Sequence, residues 1–161
     1  MSDEFAVQQV LARYVRATDS RNGSAMSELF VPNGRVDIYT GQETPESLGT
    51  LEGAETIGQA VAGMMAAHPA RGWSHHVTSD HLVEIFGDEA TLDAQFIMFE
   101  TRGDERPAQG WPVGAFGAQG AVRPREAGYY RSKLVRVDGH WRIAHHAIYL
   151  DLPQAFGSNA A

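Results

Sequence analysis

The order of patterns along this 161-residue chain predicts an α+β fold, with helices first and long antiparallel strands after them. Three observations carry the prediction. Apolar residues at helical spacing occur only before Pro69. The second half reads as long strands organised around two tight turns, Gly87-Asp88 and Asp138-Gly139. Strands and helices do not alternate as they would around a parallel sheet.

Val7, Val10, Leu11, Tyr14 and Thr18 recur every three or four residues and form the stripe of a first helix. The run from Asp19 to Ser24 breaks it with turn formers and caps. A short second helix follows with Met26, Leu29 and Phe30 inward, and Pro32-Asn33-Gly34 turns the chain out of it. A first strand surrounds Val36 and Ile38. Residues 42–49 are loop-like, and Thr50 to Gly53 suits a short strand. Ile57, Val61, Met64 and Met65 mark a third helix that Pro69 ends. Two hairpins complete the chain, Trp73–Phe86 with Ala90–Thr101 and Gly128–Val137 with Trp141–Leu152. Between them, residues 103–127 are rich in Gly, Pro and Ala, with Trp111 and Phe116. A structureless segment of that length suggests a functional lid or an inter-subunit arm. The whole chain, 1–161, is expected to be one domain.

Composition narrows the function classes. With 43% hydrophobic and 20% charged residues, the chain is neither disordered nor membrane-embedded, and no apolar run approaches the roughly 20 residues a spanning helix needs. The start, Met1-Ser2-Asp3-Glu4, is acidic and unlike a signal peptide, so a cytoplasmic protein is expected. A net charge of -7, with 13 Lys and Arg spread along the chain, argues against a nucleic-acid partner. There are no cysteines, hence no disulfides, thiolate metal sites or cysteine nucleophiles.

Several stretches together resemble the SnoaL-like branch of the nuclear transport factor 2-like superfamily. They are Leu11-Ala12-Arg13-Tyr14 through Asp19, Leu29 to Gly34, Gly53-Ala54-Glu55, Ser74 to Asp80, Gly87 to Ala90, and Tyr129 to Ile143. The resemblance covers roughly residues 4 to 152. It implies a cone of curved antiparallel sheet closed by the N-terminal helices around one pocket, and self-association as a dimer or trimer through the outer sheet face. Within the superfamily the chain functionally resembles scytalone dehydratase, bile-acid 7α-dehydratase and hexachlorocyclohexane dehydrochlorinase. Those enzymes use a His–Asp pair as a base, without metal or organic cofactor. The resemblance places Asp19 at the family's aspartate, His76 at its histidine and Tyr14 at a pocket tyrosine. His146 falls near a last-strand position that holds an arginine in some relatives.

Those residue types suit general-base chemistry. A histidine changes charge near neutral pH, and an aspartate bonded to one ring nitrogen leaves the other free to accept a proton. A tyrosine can donate to a developing oxyanion. Trp73, Phe96, Met98 and Tyr129 are expected as pocket wall against a small apolar substrate. Neighbouring strand residues face opposite ways, so one of His75 and His76, and one of His145 and His146, enters the pocket. Alternation with Val77, Val83 and Ile85 favours His75 unless a bulge intervenes, and alternation with Trp141 and Ile143 favours His145. The resemblance favours His76 and His146. Arg131 suits an anion anchor or a solvated sheet face. No His-x-His, His-Glu-x-x-His, Gly-x-Ser-x-Gly or glycine-rich phosphate motif is present, so no metal or cofactor is expected. The expected activity is a lyase or isomerase. A non-catalytic ligand-binding or assembly module, or the small subunit of a partner enzyme, is the alternative.

Overall fold

The computed structural model describes residues 2–154; residue 1 and residues 155–161 of the expected domain lie outside the described residues. Helix α1 spans Asp3–Asp19, and Ser2 caps it by accepting from the Phe5 amide at 3.3 Å. Helix α2 is Gly23–Ser27, capped by Asn22. Strands β1 (Phe30–Thr40) and β2 (Glu46–Glu52) follow, then helix α3 (Ala54–Gln59), which continues as a π-helical turn over Ala60–Met64. The remaining strands are β3 (Gly72–Phe86), β4 (Glu89–Gly103), β5 (Gly120–Val137) and β6 (His140–Leu150).

The six strands form one sheet in the order β2-β1-β6-β5-β4-β3. Every neighbouring pair is antiparallel except β1 and β6, which run parallel, so the expected all-antiparallel sheet is corrected at that one ladder. Helices cover the inner face. Val7, Leu11, Met26, Ile57, Leu92 and Ile143 are all essentially fully buried between the two layers. Burial of side chains this size contributes about 1.5–3 kcal/mol each.

The structure moves three expected boundaries. Strand β1 begins at Phe30 and passes through Pro32-Asn33-Gly34, where its pairing with β6 shifts register. Strand β2 extends back to Glu46. The expected 103–127 loop shrinks to residues 104–119, because β5 begins at Gly120 and pairs with β4 from there. The loop carries exposed Val113 and Phe116, and none of its residues lines the cavity described below.

Strand β4 runs without interruption, and its even-numbered residues Ala90, Leu92, Ala94 and Phe96 are buried on the inner face. Its neighbour β3 carries one extra residue near Asp80, where pairing passes from Ser79–Gln95 to Leu82–Asp93 and Asp80 adopts φ 52°. Even positions of β3 therefore face inward before the bulge, and odd positions Val83 and Ile85 after it. In β6 the extra residue is Ala144, since Lys133 faces His145 while Leu134 faces Ile143. Ile143 and His146 thus share the inner face.

Two glycines let α2 and α3 meet backbone to backbone. A Cβ on Gly58 would stand 2.5 Å from the Gly23 carbonyl oxygen and 3.1 Å from the Ser27 Cβ. Gly58→Ala is expected to force the helices apart and destabilise the protein by about 1–3 kcal/mol. Urea unfolding reads this directly; an unchanged midpoint would mean that the crossing is not tight.

Candidate active site

The last residue of α1, Asp19, points its carboxylate at the edge strand β3. One oxygen, Oδ2, accepts the His76 backbone amide at 2.9 Å. The other, Oδ1, lies 2.6 Å from His76 Nδ1 and accepts the Ser74 hydroxyl at 3.1 Å. Ser74 and His76 reach it because both lie on the inward parity of β3 ahead of the bulge. The backbone carbonyl of Asp19 is itself bonded by His68 Nε2 at 2.6 Å, and the His68 ring stacks on Trp73 at 4.3 Å. Burial opposes ionisation of Asp19, but the hydrogen bonds from the His76 imidazole, the His76 amide and Ser74 outweigh it. They hold the carboxyl below the usual carboxylate range. With Nδ1 committed to Asp19, His76 Nε2 makes no hydrogen bond among the described residues.

His76 lines a cavity of about 340 Å³ between the sheet and the helices. Its walls are apolar: Val36 and Ile38 from β1, Ile57 and Val61 from the helical side, Phe96 and Met98 from β4. The π-helical turn supplies Met64 at the lip. Tyr14 and Tyr130 bring the phenol groups. The Tyr14 ring sits edge-on to Tyr130 at 5.7 Å, and Tyr130 stacks on Phe96 at 4.2 Å. Gly128 makes room for that stack, since a Cβ there would collide with the Tyr149 carbonyl and stand 3.0 Å from Phe96. Burial pushes the phenol of Tyr14 well above its usual pKa, a Thr18 hydrogen bond opposing in part. Burial does the same to Tyr130, reinforced by Tyr14, Asp19 and Glu126. Both remain protonated donors at neutral pH.

Of the residues expected from sequence, the structure brings Asp19, His76, Tyr14, Phe96 and Met98 together. Three others are corrected. Trp73 lies outside the cavity, in a groove between α1 and β3 that also takes His75, because odd positions of β3 face outward there. Tyr129 is on the outer sheet face beside Arg131, whose guanidinium stands 5.7 Å over its ring and pairs with Asp93 at 2.8 Å. His146 faces inward, but it lies fully buried behind Tyr14, with ring centroids 4.3 Å apart, and does not line the cavity. Its Nδ1 meets Ser132 Oγ at 2.8 Å, and its Nε2 has no partner among the described residues. Burial, aided by the charge of His145, lowers its pKa to about 3, so it is neutral and offers no positive charge to an anion. His145 sits on the outer face, 2.8 Å from Asp37, which Arg35 and Thr50 also hold.

Sequence reasoning missed Ser74, Tyr130 and Glu126. Glu126 is the acidic residue of the lining, placed inward two positions before Gly128. The alternation Glu126, Gly128, Tyr130, Ser132, Leu134 was available as a signal, but it crosses the boundary assigned to the loop. Among the described residues, no group of three or more His, Asp or Glu stands close enough to hold a metal ion. No helix is long and apolar enough to cross a membrane.

Two pH windows follow. His146 has a folded pKa below its unfolded value of about 6.5, so its stability contribution is complete above that pH and is lost as pH falls toward 3. The cost is on the order of several kcal/mol at the acid end, and His146→Gln is expected to flatten the stability curve between about pH 6 and 4. Asp19 acts lower: its stabilisation holds above the ordinary carboxylate pKa near 3.8 and disappears as pH falls through its depressed folded value. Urea unfolding of wild type, His146→Gln and Asp19→Asn across pH separates the two. Identical pH slopes in wild type and His146→Gln would contradict the first assignment.

Comparison with known proteins agrees with this architecture. The SnoaL-like domain family matches residues 1–147. A Mycobacterium tuberculosis protein of unknown function superposes with a TM-score of 0.64 at 21% identity, covering 92% of this chain and 72% of that one. A nuclear transport factor 2-like protein with a cystatin-like fold from Novosphingobium aromaticivorans gives 0.65 at 21% identity, covering 95% and 84%. A protein from the same organism, provisionally named a scytalone dehydratase, gives 0.60 at 15% identity, covering 97% and 89%. Among curated proteins the comparison finds no match. The family match over nearly the whole chain, on a helix-covered curved sheet with an inner cavity, makes this chain a member of the SnoaL-like domain family.

Proposed function

We propose that this protein is a cofactor-independent lyase or isomerase acting on a small apolar substrate of polyketide, steroid-like, terpenoid or aromatic type. The observation that carries the reading is the 2.6 Å contact between Asp19 Oδ1 and His76 Nδ1 at the wall of an unfilled apolar cavity. Asp19 selects the tautomer in which Nδ1 carries the proton, leaving Nε2 as the base. His76 Nε2 takes a proton from carbon next to an activating carbonyl, and the electron pair moves onto the carbonyl oxygen. Tyr14 and Tyr130 donate hydrogen bonds to that oxygen. Collapse of the enolate then expels a β-leaving group, which takes the proton from the His76 imidazolium, or the imidazolium returns that proton to another carbon and shifts the double bond. Asp19 stabilises the imidazolium in between.

An open cavity beside a bonded dyad supports catalysis over a carrier role, which would leave the dyad without a task. The test uses a panel of apolar β-hydroxyketones and unsaturated ketones, followed by conjugated-enone absorbance and by deuterium uptake from D2O. His76→Ala is expected to lower turnover by ~10²–10⁴-fold, and Asp19→Asn by a comparable amount because the tautomer is lost. Full turnover by His76→Ala on a substrate found in this way would sink the proposal.

A further inference from the structure

We propose that Glu126 sets the charge class of the ligand, admitting neutral or cationic molecules that carry a hydrogen-bond donor and excluding carboxylates and phosphates. The inference rests on the reading of the cavity as a substrate site and adds the chemistry of one end of that substrate.

Apart from Glu126, His76, Thr18 and the phenols of Tyr14 and Tyr130, the cavity wall is apolar, and its lining includes no lysine or arginine among the described residues. Glu126 and His76 both line it. His76 pairs with Met98 and Met98 with Glu126, so the three share one row on β3, β4 and β5. Two strand spacings put the His76 and Glu126 Cα atoms about 10 Å apart, with Met98 between them. A substrate whose reacting carbon meets His76 therefore presents its other end to Glu126.

The carboxylate is held in place. Oε1 accepts the Ala127 amide at 3.0 Å and the Leu152 amide at 3.4 Å, and Oε2 accepts the Gln154 amide group at 2.7 Å. An ionised carboxylate has about four lone-pair sites, so three donors leave it able to take one more. A hydroxyl or ammonium group fits that vacancy. An anionic ligand brings its negative charge against the Glu126 carboxyl group beside largely apolar walls, which solvate an anion poorly. Arg125, next to Glu126 in the chain, is exposed and pairs with Glu100 at 3.5 Å, and Arg102 and Arg123 line a separate small cleft with Glu100 and Asp104, so none of the three lines the cavity.

The test is calorimetric binding of three probes of one shape at neutral pH: 2-naphthol, 2-naphthylmethylamine and 2-naphthoate. Wild type is expected to bind the neutral donor and the cation at least ~10-fold tighter than the anion, and Glu126→Gln to reduce that ratio to about 3 or less. Gln154→Ala removes one donor to the carboxylate while keeping its charge, and is expected to retain the discrimination. His76→Ala is expected to retain it too, which separates this proposal from the catalytic one: selectivity can survive in a protein that turns nothing over. Equal affinity of wild type for naphthol and naphthoate, an unchanged ratio in Glu126→Gln, or no binding of any probe would each overturn the proposal.

Discussion

Three donors from the sheet edge converge on the carboxylate of Asp19, and the relation of helix layer to sheet depends on that convergence. Strand β3 has no neighbour beyond it, so the amide of His76 would otherwise point into a gap. An amide buried without a partner costs about 1–3 kcal/mol, and the carboxylate at the end of α1 fills the need. The same carboxylate then orients the imidazole. A bond that closes the fold at its open edge and a bond that fixes the His76 imidazole therefore meet at one carboxylate, and a change at Asp19 acts on both. His68 extends the arrangement by tying the segment after the π-helical turn to the Asp19 carbonyl.

The two faces of the sheet divide the polar chemistry between them. Outside, charges are paired openly: Asp37 with Arg35 and His145, Asp93 with Arg131. Inside, the ionisable groups are few and each is constrained. His146 is neutral behind the aromatic cluster, Tyr14 and Tyr130 keep their protons, and Asp19 and Glu126 are held by donors. In an interior of this kind a positive charge on His76 would meet Asp19 and little competing solvation.

Much of this was legible in the sequence, and the failures have physical causes. The helix stripe through Val7, Leu11 and Tyr14 and the turns at Gly87-Asp88 and Asp138-Gly139 follow from short-range rules, and they appear where those rules put them. Alternation alone favoured His75 and His145, and both inferences fail at a bulge, a long-range property of the ladder that one strand's sequence does not announce. Family resemblance chose His76 and His146 correctly for direction. It could not tell that His146 is covered by Tyr14. Trp73 and Tyr129 were assigned to the pocket on residue type, but their parity puts them outside. Glu126 was lost because Pro124 and the glycines nearby suggested a loop, whereas Arg125 is a bulge residue in a continuing strand, with Met98 facing Glu126 and Phe99 facing Pro124.

Strand β4 has no extra residue, while β3, β5 and β6 each hold one. It acts as a ruler: the partner across the ladder, not the count along the chain, decides which side chains reach the interior. A residue inserted or removed at such a bulge changes the length of the protein without changing the occupants of the cavity. Equivalent positions in two members of this family can therefore differ in number by one within a single strand. An alignment that forbids gaps inside strands would then set His75 of this chain against a residue that faces the cavity in another member.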